Sequence, residues 1–256
     1  MNFQEFFNQL HFTQLDTALA AAAGLAAFIS WLYYLAIYTK VRPTSPAKPG
    51  FQPPVSIIIA ARDAKTHLQK NLPLWLEQDY PNFEIIIAND RSSDGTTLFL
   101  TEQAMVHPKI KNVTLDIDVV KTGGKKLALT LGIKKAQYPY FLLTDADCTP
   151  ASKDWLKTMV QYFGEGHTLV LGASPIQTGN GFLGRLIQYE NLITALQYLG
   201  FAANNKPYMG VGRNLAYSRT CYESVNGFSS HYHIPAGDDD LFVQEAVQKN
   251  ASICCI

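Results

Sequence analysis

Two aspartates one residue apart follow an apolar segment of strand length, in the stretch Phe141-Leu-Leu-Thr-Asp145-Ala-Asp147. A short continuous apolar run is typical of a buried strand, and open α/β sheets bind ligands beyond the carboxyl ends of their strands. Neighbouring carboxylates repel each other, and an Mg²⁺ or Mn²⁺ ion shared with a phosphate relieves that repulsion. The stretch therefore indicates a divalent cation site, with a strand followed by a solvated acidic turn as the alternative.

Asp90 also follows a strand-like run, Glu84-Ile-Ile-Ile-Ala88, and begins the segment Asp90-Arg-Ser-Ser-Asp-Gly-Thr96. A carboxylate at a strand end can accept hydrogen bonds from a nucleobase or ribose, whereas the Ser, Asp and Gly that follow make a turn and cap a helix. Asp90 is thus a candidate nucleotide-binding residue. A β-α connection without a ligand explains the segment equally well.

A glycine and lysine segment, Lys121-Thr-Gly-Gly-Lys125-Lys126, opens the predicted helix before the Asp145 strand. Glycine amides and lysines at a helix N-terminus form an anion site, which suits a diphosphate. The spacing is not that of a P-loop. A glycine turn with solvated lysines is the alternative.

A third acidic group, Asp238, Asp239 and Asp240, stands where the last predicted helix begins. Acids at a helix N-terminus cap it and complement its dipole, but a helix needs only one cap. Another of the three is therefore available as a general base. We interpret His231 and His233, just upstream, as loop histidines because nothing else completes a metal-ligand spacing.

Strand-like and helix-like segments alternate around these residues. The predicted strands cover residues 55–61, 83–88, 113–117, 141–145 and 168–173, and the predicted helices 68–78, 95–106, 125–136, 152–163, 182–201 and 241–249. Ser93 or Asp94 is expected to cap the second helix. This alternation predicts an α/β fold with a mostly parallel central sheet and helices on both faces. The apolar segment 182–201 is predicted to be mainly core, with contact to lipid or to an acceptor groove as the alternative.

The N-terminal region predicts a membrane anchor. Residues 17–38 carry no charge and would form a helix roughly 33 Å long, which matches a hydrocarbon core of ~30 Å. Lys40 and Arg42 follow, so the positive-inside rule puts the C-terminal side in the cytoplasm. We expect an extracytoplasmic segment 1–16, one span over 17–39, a proline-rich linker over 40–53 and a catalytic domain over 54–256 at the cell membrane. A signal peptide or a buried core helix is the alternative.

Composition excludes some classes of function. The 256 residues carry 21 Lys plus Arg and 21 Asp plus Glu, so no basic excess favours nucleic acid binding. The four cysteines lack metal-site or disulfide spacing, which is typical of small residues in a reducing compartment.

Taken in order, these segments resemble the family 2 inverting glycosyltransferases, which have the GT-A nucleotide-sugar-binding fold. The segments that carry the resemblance are the opening strand Val55–Ala61, the turn Asn89-Asp90-Arg-Ser-Ser-Asp-Gly-Thr, Gly124-Lys125-Lys126-Leu-Ala-Leu, Thr144-Asp145-Ala-Asp147 and Asp238-Asp-Asp-Leu241. The resemblance covers residues 54 to about 249. The ending at Ile256 resembles an unfinished strand, and we expect a fragment of a longer chain.

The resemblance implies roles for individual residues. Asp90 would contact uracil, Lys125 the diphosphate, Asp147 the metal ion, and Asp145 the nucleotide with a share in the metal. Asp238 would be the catalytic base, with Asp239 as the second choice because Gly237 replaces a glutamate common in the family. Ala60, Arg213 and Asn214 complete the expected contacts to nucleotide or substrate.

The expected activity is transfer of a sugar from a nucleotide-diphospho-sugar, a UDP-sugar first, to a saccharide or lipid-linked acceptor in cell-envelope glycan or glycolipid synthesis, with Mg²⁺ or Mn²⁺. One alternative is a nucleotidyltransferase of related fold, which would release pyrophosphate. Another is a membrane-tethered nucleotide-binding or scaffold protein without turnover.

Overall fold

The computed structural model describes residues 13–41, 50–115, 124–234 and 236–256. Among these residues the strands are β1 (Val55–Ala61), β2 (Phe83–Asp90), β3 (Ile110–Leu115), β4 (Tyr140–Asp145), β5 (Leu169–Leu171), β6 (Leu215–Ser218) and β7 (Ile253–Cys255). The α-helices are α1 (Gln14–Tyr38), α2 (Lys65–Leu76), α3 (Thr96–Val106), α4 (Gly124–Lys135), α5 (Trp155–Val160), α6 (Phe182–Ala203), α7 (Arg219–Ser224) and α8 (Asp238–Gln248). Short 3₁₀ turns cover Gln161–Glu165, Gly212–Asn214 and Ser229–His231.

The strands form one mixed sheet in the order β3-β2-β1-β4-β6-β5-β7. β1 pairs in parallel with β2 and β4, and β2 with β3, whereas β6 is antiparallel to both of its neighbours. The predicted mostly parallel sheet is therefore confirmed. The chain order reverses beside β1, which is where open α/β sheets bind ligands. Ala60 lies opposite Ala88 on one side and Asp145 on the other, so these strands end at one edge.

Helices pack on both faces of the sheet, as predicted. Ile57 and Ile59 of β1 belong to one core together with Trp75 of α2. Ile58 belongs to the opposite core together with Phe242 of α8. Successive strand residues point to opposite faces, so a continuous apolar run fills both cores at once. Each such side chain contributes about 1.5–3 kcal/mol by leaving water.

Helix α1 begins at Gln14, three residues before the charge-free segment. Thr13 and Asp16 form a capping box: the Asp16 amide donates to the Thr13 hydroxyl at 3.2 Å, and the Thr13 amide donates to the Asp16 carboxylate at 2.9 Å. This reciprocal cap satisfies the Thr13 and Asp16 amides, so the helix can begin before the charge-free segment. Residues 13–36 are all exposed, so α1 is not a core helix of this domain. It is long and apolar enough to cross a membrane.

The C-terminal part of α1 packs against α6. The side-chain amide of Gln197 donates to the Tyr33 hydroxyl at 3.2 Å, and the Tyr33 and Phe201 rings lie 6.4 Å apart between centroids. A β-carbon on Gly200 would lie only 2.6 Å from the side chain of Ile37. The absence of a side chain at Gly200 therefore lets the two helices approach closely.

The prediction that residues 182–201 are mainly core is wrong for the first half of α6. Phe182 is 85% exposed and Leu183 is 67% exposed, and Leu192 is still exposed nearly three turns after Phe182. Only the second half contributes to the core, through residues such as Tyr198 and Leu199. The first half is thus an apolar helical surface on the same helix that contacts α1.

Several predicted boundaries differ from the structure. β3 begins at Ile110 because it pairs in register with Ile85 of β2, and residues 116–117 of the prediction lie outside the described residues. The predicted helix 152–163 is a short α5 that tightens into a 3₁₀ turn. Gly95, rather than Ser93 or Asp94, occupies the N-cap of α3, although Asp94 accepts from the Thr96 amide at 3.0 Å. Linker residues 42–49 and loop residues 121–123 also lie outside the described residues.

Candidate active site

Asp145 ends β4 at the edge where the chain order reverses. Its carboxylate forms an ion pair with Lys125 of α4, with Nζ and Oδ1 2.8 Å apart. Ligand atoms of Asp145, Asp147 and Cys148 all lie within 4.8 Å of one another. The two predicted metal ligands are therefore close enough to share one cation, and Lys125 is in direct contact with one of them.

Lys125 lies among several acids. Burial opposes its charge, but the carboxylates of Asp145, Asp239 and Asp238 outweigh burial and raise the pKa of Lys125 above its ordinary value. The ammonium group therefore stays charged at neutral pH. A permanent cation beside the cation site is suited to bind an incoming diphosphate.

Asp239, in the first turn of α8, is tied to the backbone of the Gly212–Asn214 turn. The Gly212 amide donates to Asp239 Oδ2 at 2.7 Å, and a side chain at position 212 would collide with this carboxylate. Burial raises the pKa of Asp239 to about 7, and the charge of Asp238 adds to that increase while Lys125 opposes it. One oxygen of Asp239 is thus committed to holding α8 against the turn.

Asp238 differs from Asp239 in its hydrogen bonding. Its Oδ2 atom is buried, and no residue in the described part of the chain donates a hydrogen bond to it. A buried carboxylate oxygen without a donor is costly, because it has lost water without gaining a partner. This atom can accept a proton or a hydrogen bond from a bound molecule without giving up an existing contact.

These acids surround a cavity of about 410 Å³. Its lining comprises one residue of β4, the segment before β6 and the start of α8, namely Asp145, Met209, Gly210, Val211, Gly212, Arg213, Gly237, Asp238, Asp239 and Asp240. The structure therefore brings Arg213 and the two candidate bases to one cavity with Asp145. Four carboxylates and one arginine make this lining strongly polar, with more hydrogen-bond acceptors than donors among the charged side chains.

Asp90 and Ala60 lie along the same edge but outside that lining. Asp90 ends β2, is 5% exposed and pairs with Arg91, whose Nε lies 2.7 Å from Asp90 Oδ1. Ala60 belongs to β1, between β2 and β4. Two strand spacings separate Asp90 from the Asp145 strand, which corresponds to roughly 10 Å. A nucleotide that bridges the two strand ends would need to span that distance.

Asn214 and His231 make their contacts within the protein. The Asn214 side chain donates to the Ala173 carbonyl at 2.7 Å and accepts from the Trp155 indole at 3.0 Å. The buried His231 ring lies 3.2 Å from Glu245, which agrees with a structural histidine. His233 is exposed in the loop, as predicted.

Sequence reasoning gave no role to Cys148, and it did not foresee the contacts with distant segments made by Gly212 and by Lys126, a lysine of the predicted anion segment. Cys148 directly follows Asp147 and joins the potential metal group, where burial and the neighbouring acids raise the pKa of its thiol to about 11. Gly212 holds Asp239, and Lys126 is buried under the loop that leads to α8. Adjacency to Asp147 is a usable signal for Cys148. No local sequence pattern predicts the partners of Gly212 and Lys126, because those partners lie 27 and more than 100 residues further along the chain.

Curated relatives match more than half of the chain. The chain is 33% identical over 147 residues to the poly-beta-1,6-N-acetyl-D-glucosamine synthase of Staphylococcus epidermidis, covering 56% of this chain and 34% of that protein. The synthase of the same description from Staphylococcus aureus strain COL is 30% identical over 147 residues, with the same coverage of both proteins. The chain thus spans about a third of these relatives.

Solved structures share the fold. The mannosyltransferase PcManGT from Pyrobaculum calidifontis, in complex with GDP-Man and Mn²⁺, superposes with a TM-score of 0.70 at 22% identity, covering 93% of this chain and 66% of that one. Residues 1–349 of Staphylococcus aureus TarS, in complex with UDP-GlcNAc, give a TM-score of 0.57 at 17% identity, covering 79% and 56%. The sequence model described as glycosyl transferase family 2 matches residues 56–225, which is more than half of the chain. The chain belongs to glycosyl transferase family 2.

Proposed function

We propose that this protein is a membrane-anchored inverting glycosyltransferase. It would move a sugar from a nucleotide-diphospho-sugar, a UDP-sugar first, to an acceptor hydroxyl in cell-envelope glycan or glycolipid synthesis. The single observation that carries the proposal is the cavity in which Asp145, paired with Lys125, faces Asp238 with its unpartnered Oδ2 atom. Family membership and the names of the relatives agree with this activity.

The side chains at the end of β4 fit a divalent cation. Asp145 and Asp147 offer hard carboxylate oxygens close together, the donor type that Mg²⁺ and Mn²⁺ prefer. Asp147 would be the main ligand, with Asp145 shared between cation and nucleotide. The bound cation would supply charge neutralisation for the departing diphosphate.

The remaining chemistry belongs to residues of the chain. Lys125 offsets negative charge that grows on the leaving diphosphate, and Arg213 borders the same cavity. Asp238 Oδ2 takes the proton of the acceptor hydroxyl while the oxygen of that hydroxyl attacks the anomeric carbon of the donor sugar. The bond from that carbon to the diphosphate oxygen breaks in the same step, so the nucleoside diphosphate leaves and the configuration inverts. Asp90 is proposed to bind the base, at the far end of the strand edge.

Helix α1 is proposed to anchor the catalytic domain, residues 54–256, on the cytoplasmic side of the cell membrane. The exposed apolar first half of α6 would lie against the same membrane, because its second half contacts the cytoplasmic end of α1. An acceptor attached to lipid or growing at the membrane surface would suit this arrangement.

The test is a donor screen with the full chain in nanodiscs. UDP-GlcNAc comes first, since two relatives are named for N-acetyl-D-glucosamine polymers, and GDP-mannose is the comparison donor. Each reaction runs with Mn²⁺, with Mg²⁺ and with EDTA, and products are separated by anion-exchange chromatography. We expect cation-dependent release of the nucleoside diphosphate, with the sugar transferred to acceptor or water.

Other products would contradict the proposal. Release of pyrophosphate would identify a nucleotidyltransferase. Tight UDP binding without transfer or hydrolysis of any donor would identify a nucleotide-binding protein without turnover. The double variant Asp145→Ala with Asp147→Ala serves as the control because it removes both proposed carboxylate ligands of the cation, and activity that survives this change would place the chemistry elsewhere.

A further inference from the structure

Lys126 is a buried lysine next to the donor-binding candidate Lys125. It is 3% exposed, and its ammonium nitrogen donates to three backbone carbonyls, those of His231 at 3.1 Å, Ile234 at 2.5 Å and Ala236 at 3.3 Å. A lysine ammonium has three N–H donors. All of them are therefore accounted for by one loop, more than 100 residues further along the chain.

That loop leads directly to the candidate base. It connects the Ser229–His231 turn to Asp238, the first residue of α8, and residue 235 lies outside the described residues. His233, Ile234 and Ala236 are exposed, so their side chains do not anchor the loop in the core. The N-cap of α8 makes no side-chain capping hydrogen bond. The Asp239–Gly212 hydrogen bond holds the first turn of α8 on one side, and the position of Asp238 at its start depends also on how the preceding backbone is held.

Helix α4 thus holds two parts of the site through two consecutive lysines. Lys125 binds Asp145 at the end of β4, and Lys126 binds the loop before Asp238. Together they set the separation between the proposed cation site and the proposed base.

The three acceptors of Lys126 are neutral carbonyls, and none is a carboxylate. The desolvation cost of burying the ammonium group is therefore not offset by an ion pair among these hydrogen bonds. An apolar side chain of similar length would fill the same space without that cost. Packing alone is therefore a poor reason for a lysine at this position, whereas binding three carbonyls of one loop requires an ammonium group.

We propose that Lys126 is a positioning residue for glycosyl transfer: by binding the backbone carbonyls of His231, Ile234 and Ala236 it places Asp238 at the acceptor hydroxyl. This inference rests on the proposed function. The two adjacent lysines then have different roles: Lys125 binds the donor diphosphate, and Lys126 positions the catalytic base Asp238.

The experiment compares Lys126→Met with Lys125→Met in the full chain in nanodiscs, using the donor that the wild type turns over. A misplacement of about 1 Å can cost about 10²-fold in rate, so we expect Lys126→Met to lower kcat by about 10- to 100-fold and to leave the donor KM within about threefold. Lys125→Met is expected to raise the donor KM by about tenfold or more, because it loses the diphosphate contact.

Two further variants separate positioning from general stability. Leu129→Ala removes a buried side chain from the same helix, and it should lower Tm while leaving kcat within about twofold at temperatures where the protein is folded. In an Asp238→Asn background, Lys126→Met should lower kcat almost no further, because the effects of residues that act as a unit are not additive. A full multiplicative loss in that background, or a kcat loss in Leu129→Ala equal to that in Lys126→Met, would overturn the inference.

Amide hydrogen exchange supplies a readout that does not depend on turnover. Lys126→Met should accelerate exchange in peptides that cover 231–241, with β1 peptides unchanged. Unchanged exchange in 231–241 overturns the inference, and so does faster exchange with wild-type kcat. If the wild type transfers no sugar, the proposed function fails, and the exchange result still decides whether Lys126 holds this loop.

Discussion

Replacing Asp238 by asparagine tests the chemical core of the site. The change keeps the size of the side chain and removes the oxygen that can take a proton, namely the Oδ2 atom that no described residue contacts. A general base contributes about 10²- to 10⁴-fold, so we expect kcat to fall by that factor, equal to about 2.7–5.5 kcal/mol of barrier at 1.36 kcal/mol per decade. Donor KM should change little, because Lys125 and Asp145 remain paired.

Asp239→Asn is the matched comparison, since it removes the same charge one residue away. The Asp239 carboxylate is already bound by the Gly212 amide, and an asparagine oxygen can still accept that hydrogen bond. We therefore expect a smaller loss of kcat than in Asp238→Asn. The assay is the initial rate of nucleoside diphosphate release at saturating donor, with UDP affinity measured by calorimetry. A kcat of Asp238→Asn within about threefold of the wild-type value, or a larger loss of kcat in Asp239→Asn than in Asp238→Asn, would refute the assignment of the unpartnered Oδ2 atom as the proton acceptor.

Four other expectations follow from the structure. Burial raises the pKa of Asp239 from 3.8 to about 7, so its contribution to stability is complete below pH 3.8 and is lost as pH rises to about 7. Thermal unfolding without divalent cation should therefore show Tm falling between about pH 4 and 7 and levelling off above that range, and an equally steep fall in Asp239→Asn would contradict this. Glu84→Gln should lower the free energy of unfolding by about 2 kcal/mol at pH 7, because the buried carboxylate accepts hydrogen bonds from Ser56, Lys111 and the Gln137 amide. A change of less than about 0.5 kcal/mol would be evidence that these three hydrogen bonds do not stabilise the fold. Asp147→Asn should raise the Mn²⁺ concentration for half-maximal activity by at least about tenfold in a metal titration, and an unchanged value would remove Asp147 from the cation site. Benzoylphenylalanine in place of Leu186, on the exposed half of α6, should photo-crosslink to phospholipid in nanodiscs. Benzoylphenylalanine in place of Leu98, on α3, should form no lipid adduct. Adducts to protein alone at position 186 would mean that another chain covers this surface.

Continuous apolar runs predicted the centre of the fold well. The strands that end on Asp90 and Asp145 are filled on both sides by cores, so their signal is strong and does not depend on the rest of the chain. The start of α8 was predicted to within one turn: three acids in succession are typical of a helix N-terminus, but the predicted helix begins at Leu241 and the observed one at Asp238. The common edge of these elements follows from the parallel sheet.

Contacts between distant segments were not predictable in the same way. The exposed half of α6 has the composition of a core helix, and only the position of its neighbours decides whether Phe182 meets protein or another surface. Lys126 and Lys125 are the same residue type in the same segment, yet one is buried beneath a loop and the other pairs with Asp145. Periodicity reports which face of an element is apolar, whereas the partner of a polar side chain depends on the folded arrangement.

The close approach of Gly200 to Ile37 limits how the domain can move relative to its proposed anchor. A helix joined to the domain only by a linker would let the domain move through a large volume, but α1 also packs against α6. Helix α6 is in turn fixed to the domain, since its Tyr198 hydroxyl donates to the Gly172 carbonyl at 2.8 Å. With α1 in a bilayer, the opening of the cavity would keep one height and one orientation above the lipid. Acceptors confined to that surface would then meet Asp238 at a high effective concentration, whereas a freely dissolved sugar would gain nothing from the anchor.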